Sequence, residues 1–307
     1  MKRIIFTFCC SMLLLTAAAQ NIIRPKIAGP NGLWVNSYNG VLFFGQTDFE
    51  TQNSAMPMEL RFYYNSSSHN TNYGYGLGFS LGYEMRYEIA DNGDVTIYQG
   101  DGRSDTFKRY GNDFEAPAGV FSKLTMEDDT YTVTEKTGEK HIFGNSTYKK
   151  LTAEVDRFGN RTDLTYQDSL LVQIKDAVGH TINLEYTNGM MTRATASFLN
   201  GAFTYQYDAK NRLRKRTDAM GFSTLYDYDK DNHIDEITDA NGNKTVIAYN
   251  SAGMVGRMKT DVTDKSIRYD GDKTVFIDYT EPKNQYSYYR WDDKGRVVEK
   301  VGLCCGS

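Results

Sequence analysis

Three carboxylates at alternate positions, Asp227, Asp229 and Asp231, stand in the segment DYDKDNHIDE, and that is the spacing with which a calcium loop presents its first ligands. The rest of the segment argues against calcium. Position six of such a loop requires Gly and here holds Asn232; position twelve, where a bidentate Glu belongs, is Thr238. Asp at the first position of a chain reversal accepts backbone N–H bonds, so turn chemistry accounts for these residues, and for Asp218 and Asp239 as well. His69, His141, His180 and His233 are scattered with no His-Glu-x-x-His pattern, which argues against zinc. No Gly-x-Ser-x-Gly elbow occurs and no Cys has a catalytic setting. Paired acids acting on a glycan are the remaining enzymatic option, but turns rich in Asp bring carboxylates together by chance. The residues therefore point to no catalysis, no metal and no cofactor.

Composition says which elements must carry these turns. The chain holds 23 Tyr, 16 Phe and 27 Gly against five Pro, which suits pleated strands with aromatic half-buried faces. No long stretch places apolar residues at i, i+3, i+4 and i+7, so helices are expected to be few and short. A net charge of -4 with both signs scattered gives no basic stripe, and nucleic acid is not an expected partner.

Lys2 and Arg3 precede an apolar run from Ile4 to Leu15 and then Ala17, Ala18 and Ala19, which reads as a secretory signal peptide over residues 1–19. The run falls well short of the ~20 residues a spanning helix needs, so no membrane span is expected. The protein is expected to be exported by a bacterial cell and to be secreted or held at the cell surface. Cys304 and Cys305 are adjacent and form no disulfide framework; they read as part of an unfinished repeat, with covalent linkage to another chain the second reading.

The turns recur. An aromatic residue closing an alternating strand stands at Tyr166, Tyr186, Tyr207, Tyr228, Tyr249, Tyr269 and Trp291, at intervals of 20 to 22 residues, and self-similarity of that kind is the mark of a repeat architecture. Four residues after Tyr207, Tyr228, Tyr249 and Trp291 stand Asn211, Asn232, Gly253 and Gly295, turn residues that accept positive φ. A second strand then leads to a second turn, closed by Gly159, Gly179, Gly221 or Gly242. Two residues before each aromatic stand Leu164, Leu184, Tyr205, Tyr226, Ile247, Ile267 and Tyr289; one before stand Thr165, Glu185, Gln206, Asp227, Ala248, Arg268 and Arg290. Period-two alternation puts the first set and the aromatics on one buried face and the second set in water. A slip of one residue would turn the whole ladder outward, so the pattern also selects the register.

The segments YDAKNRL, YDKDNHIDEITDANGNKTVIAYNSAG and WDDKGRV resemble the YD repeats of Rhs-type secreted proteins over roughly residues 156–298. The preceding part, with SYNG, PMELRFYYNSS, YGYGLGFS and GDGRSDTFKR, is similar to the N-terminal module found ahead of such repeats. The resemblance implies a long β-sheet spiralling into a shell around a C-terminal toxin. Neither the family's C-terminal core motif nor a toxin domain has a counterpart here, which marks a short or truncated member.

The expectation is an all-β chain: a signal peptide at 1–19, an N-terminal Rhs-associated β module at 20–130 that caps or precedes the repeats, and an antiparallel meandering YD-repeat sheet at 131–307. Its expected role is structural, as part of a β-sheet shell or cell-surface scaffold, with a further Rhs segment or a toxin as partner. The alternative is a secreted carbohydrate-binding or adhesion protein that stacks a cell-surface glycan on tyrosines outside the ladder, such as Tyr63, Tyr64, Tyr73 and Tyr75. The Gly-rich run from Asn72 to Glu88 is expected to bend tightly or lie close against the sheet. The last unit leaves an exposed edge strand open to pairing.

Overall fold

The computed structural model describes residues 26–51, 56–144, 147–280 and 285–302. The signal segment, Cys304 and Cys305 lie outside those residues. Everything described is strand or turn apart from two single-turn 3₁₀ segments, at Pro30–Gly32 and Ser66–Ser68.

Three antiparallel sheets follow one another along the chain. Five strands from Lys26–Ala28 to Phe79–Leu81 make the first and four from Arg86–Ile89 to Asp113–Glu115 the second. Eighteen strands from Lys123–Glu127 to Val297–Val301 make the third, and each pairs only with its neighbours in sequence. That connectivity is a pure meander, built from short hairpins that need no crossover. The expected boundary at 130/131 falls inside the first hairpin of the long sheet, where Glu127 pairs with Thr130. The sheet therefore begins at Lys123: Met126 and Tyr131 already face each other across that hairpin, and strand alternation rather than the YD grammar defines its first members.

Burial follows the alternation. In strand Thr181–Thr187, Ile182 and Leu184 are buried while Glu185 is exposed, and in Lys244–Tyr249, Thr245 and Ile247 are buried while Lys244, Val246 and Ala248 are exposed. The buried side of the long sheet does not face a hollow. The first sheet lies on it, and both contribute to one hydrophobic core in which Phe62, Tyr64, Phe79 and Leu81 pack with Tyr205, Tyr226 and Ile234. Ring contacts cross the junction at Phe49–Phe203 (4.7 Å between centroids), Phe62–Tyr205 (5.3 Å) and Phe79–Tyr226 (5.6 Å). The module thus neither merely precedes the repeats nor caps one end of them; it covers their inner face.

Candidate functional site: the aromatic face and its seated module

The ring positions do more than fill space. The Tyr166 hydroxyl donates to the Leu151 carbonyl at 2.8 Å, and the same bond joins Tyr186 to Leu171, Tyr207 to Met191, Tyr228 to Leu213, Tyr249 to Ile234 and Tyr269 to Val255, all between 2.7 and 3.0 Å. Each acceptor lies 14 to 16 residues back, so every unit is pinned to the strand of the unit before it. Trp291 has no hydroxyl and instead donates its indole N–H to the Thr274 hydroxyl at 3.1 Å. At six of the seven ring positions the ladder also slips by one residue at the aromatic, giving a β-bulge between Thr165 and Tyr166, Glu185 and Tyr186, Gln206 and Tyr207, Asp227 and Tyr228, Ala248 and Tyr249, and Arg290 and Trp291. A bulge adds local twist and re-aims one side chain. Tyr269 makes its bond without one. Burial pushes the ladder hydroxyls well above the ordinary tyrosine value, which keeps them protonated as donors.

Replacing Tyr228 by Phe removes one such bond while keeping the ring. The expected cost is about 1 kcal/mol of stability, read from a shift in the urea midpoint with an unchanged slope. A similar cost for Tyr186→Phe, and near-additivity of the two, would mark the bonds as independent repeats of one device.

The turns are built around their leading Asp. Asp156 accepts from the N–H groups of Phe158 and Asn160 with one oxygen and from the Asn160 side chain with the other. Asp208 does the same with Lys210 and Arg212, Asp239 with Asn241 and Asn243, and Asp292 with Lys294 and Arg296. Gly159, Gly179, Gly221 and Gly242 close the second kind of turn at φ between 85 and 96°, and Asn211, Asn232, Gly253 and Gly295 the first kind at φ between 61 and 73°. Within DYDKDNHIDE, the Asp229 carboxylate is spent on the N–H groups of Asp231 and His233 and on the His233 ring, whereas Asp227 pairs with Arg214. Among the described residues no three His, Cys, Asp or Glu side chains are grouped to hold a metal.

These bonds hold the Asp156 and Asp239 carboxyls below their ordinary value, chiefly through the side chains of Asn160 and Asn243, and that of Asp292 through the Arg296 N–H. At Asp208 burial pushes upward and the bonds from Arg212 outweigh it. A carboxyl lowered in the folded state contributes stability above its unfolded value, near pH 4, and the contribution is lost as pH falls below it. The melting temperature should stay level from neutral to about pH 5 and fall steadily under about pH 4. Asn250 occupies the same place in its turn and accepts from Ala252 and Met254, so Asp239→Asn should keep neutral stability and make the acid slope shallower.

The module is held on this face by polar bonds as well as rings. Asp48 is wholly buried against Arg216, with Arg216 Nε at 2.7 Å from one carboxylate oxygen and the Tyr205 hydroxyl donating to the other. Burial pushes the Asp48 carboxyl upward against the opposing charge of Arg216. The Tyr226 hydroxyl reaches Gln46 at 2.7 Å, and the Ile234 N–H donates to the Tyr64 hydroxyl at 3.0 Å. Backbone bonds cross too: Met191 N–H to Gly74 O, Leu77 N–H to Asn211 O, and Val255 N–H to Gly40 O. In the Gly-rich run, a Cβ at Gly76 would stand 3.1 Å from the Leu213 backbone and one at Gly74 3.1 Å from the Gly189 carbonyl, so close approach to the sheet explains both.

The proposed glycan tyrosines separate here. Tyr64 and Tyr75 are buried, at 0% and 2% exposure, and are core rings, not a platform. Tyr63 and Tyr73 are half-buried, each beneath an arginine, Arg61 and Arg86. One feature the sequence did not disclose is a hollow of about 890 Å³ whose lining includes His141 and the acids Glu59, Asp101, Glu135, Glu139 and Glu154. Burial alone would lower His141, but Glu154, 3.2 Å from its Nδ1, raises it. Glu59 and Asp101 come from the first two sheets, whereas Glu135, Glu139 and Glu154 lie close to His141 along the chain.

Two family descriptions match the chain: a domain of unknown function, DUF6531, over residues 32–107, and the RHS Repeat over residues 207–244. Among curated proteins none matches. Solved structures with some likeness include the Tc holotoxin pore of Photorhabdus luminescens, at 13% identity and TM-score 0.37 over 87% of this chain. Another is the TcdB2-TccC3 complex without its hypervariable C-terminal region, at 12% identity and TM-score 0.38 over 88% of this chain. The chain spans 14% of each of those. The chain thus carries a match to the DUF6531 domain at 32–107, within its first two sheets, and a match to the RHS Repeat at 207–244, within the meandering ladder.

Proposed function

We propose that this is an exported structural protein, a piece of β-sheet wall whose own N-terminal strands fill its inner face, and that it performs no catalysis. What supports the reading is the use made of the ladder: six tyrosine hydroxyls and one indole N–H are all bound internally, and the face that carries them is covered by the first sheet. An aromatic face so engaged stiffens and seals; it offers no free ring to a ligand. The leader at residues 1–19 supports export, and the RHS repeat supports a place within a shell or surface scaffold, including a toxin-delivery assembly. The second edge of such a wall, at Val297–Val301, has a neighbour on one side among the described residues.

Expression of the whole chain with its own leader, followed by cell fractionation, tests this. The protein should appear outside the cytoplasm, folded, with no glycan hydrolysis. Retention in the cytoplasm, or hydrolysis abolished by Glu154→Gln with the fold intact, would overturn the reading.

A further inference from the structure

The histidines are scattered in sequence, but the fold brings two of them ring to ring across the junction between the sheets. His69 follows the Ser66–Ser68 turn of the first sheet, and His233 closes the repeat turn ahead of strand Ile234–Thr238; their ring centroids are 4.1 Å apart, with the planes inclined by 35°. His69 Nδ1 is 2.8 Å from the Ser66 carbonyl oxygen, and His233 Nδ1 is 3.2 Å from an Asp229 carboxylate oxygen. Such oxygens only accept, so each Nδ1 carries a proton, and in the neutral ring Nε2 is left as a bare lone pair. Neither Nε2 has a hydrogen-bond partner among the described residues. The two turns are tied to each other beside the pair, where Asn232 donates to Asn70 at 3.0 Å, and Tyr249 stacks on His233 at 4.6 Å. Both rings line a hollow of about 940 Å³. The edge of His233 that carries Nε2 faces Gly253, where a Cβ would stand 3.4 Å away.

We infer that His69 and His233 together take up a divalent transition-metal ion, Zn²⁺, Ni²⁺ or Cu²⁺, and that the ion clips the first sheet to the repeats. Imidazole nitrogen suits these ions, and a ligating histidine characteristically gives its other ring N–H to a backbone carbonyl or a carboxylate, which is what Ser66 and Asp229 provide. Two imidazole nitrogens held by one ion at about 2.1 Å each stand roughly 3 to 3.5 Å apart, a separation that small rotations of two rings this close supply. Two protein donors are fewer than the four of a structural zinc centre, so water completes the shell and the ion exchanges. The bond from His233 to its turn Asp is repeat grammar, and His180 makes the same bond to Asp176 at 2.8 Å. The ring of His180, however, meets Phe198 and not a second imidazole. What distinguishes His233 is the ring that the first sheet brings to it.

Calorimetric titration of the whole untagged chain with Zn²⁺ and Ni²⁺ after EDTA treatment tests the inference, with Cys304→Ser and Cys305→Ser in every sample to remove competing thiols. One saturable equivalent is expected, and the melting temperature should rise with metal concentration, because the ion binds the folded junction and not the unfolded chain. His69→Gln and His233→Gln should each weaken binding by about tenfold or more and remove that rise, whereas His180→Gln should leave both as they were. The readout is the increment that metal adds to each protein's own melting temperature, so a variant that is less stable without metal still reports. Mg²⁺, which prefers oxygen ligands, should give no increment. With Cu²⁺, electron paramagnetic resonance should show nitrogen splitting that the double variant His69→Gln with His233→Gln lacks. No metal increment in the unaltered pair, or an increment that survives the double variant, would overturn the inference.

Discussion

Replacing Arg216 by Met is expected to cost about 3–5 kcal/mol of folding stability, because it leaves the wholly buried Asp48 without its counter-charge. The carboxyl would answer by taking up a proton, and the loss would therefore shrink in mildly acid solution. The double variant Asp48→Asn with Arg216→Met should recover most of the loss, since an amide can still accept from Tyr205 and no charge remains to be desolvated. Chemical denaturation of the four proteins in the cycle measures this. Equal and additive losses would mean that the pair is solvated and that the first sheet rests on the repeats less closely than described.

Changing Tyr64 to Ala should cost about 3–5 kcal/mol, the range for emptying a fully buried aromatic site. The ring stacks near Phe44 and Phe79, at 5.2 and 5.1 Å, and its hydroxyl is the partner of the Ile234 N–H in the repeat sheet. Tyr64→Phe should cost less, about 1–3 kcal/mol, because the ring stays while the Ile234 N–H is left unsatisfied and the Tyr249 hydroxyl loses a partner. A glycan-platform role for this residue makes the opposite forecast, with binding lost and melting unchanged. The contrast matters because Tyr63, its neighbour, is half-exposed and separates the two behaviours within one strand.

What the sequence disclosed and what it hid divide along sequence distance. Period, alternation and register are local consequences of which residue follows which. Leu164, Leu184, Tyr205, Tyr226, Ile247, Ile267 and Tyr289 are all buried, as a period-two face demands. The bulge at each aromatic and the bond from its hydroxyl to a carbonyl about 15 residues back were not legible, since a one-residue slip leaves no mark on composition. The constancy of Tyr over Phe at six of the seven ring positions was the available signal, because a ring that only packs has no need of a hydroxyl. The seating of the first sheet was hidden for a different reason. Asp48 meets Arg216 across 168 residues and Tyr64 meets Ile234 across 170, and each looks, within its own segment, like an ordinary surface residue of a strand. In sequence Tyr64 and Tyr75 are simply rings outside the ladder; the partner that buries them comes from the far half of the chain.

The central claim is that the ring-lined face and the first sheet form one body, and amide hydrogen exchange examines it at single residues. The N–H groups of Leu77, Met191, Ile234 and Val255 each bond across the junction, to Asn211 O, Gly74 O, the Tyr64 hydroxyl and Gly40 O. In native buffer these four should exchange as slowly as the strand amides on either side of them and should be released together when Arg216→Met loosens the junction. Fast exchange at all four in the unaltered protein, with the strand ladders still protected, would show the two sheets to be separate and would contradict the account.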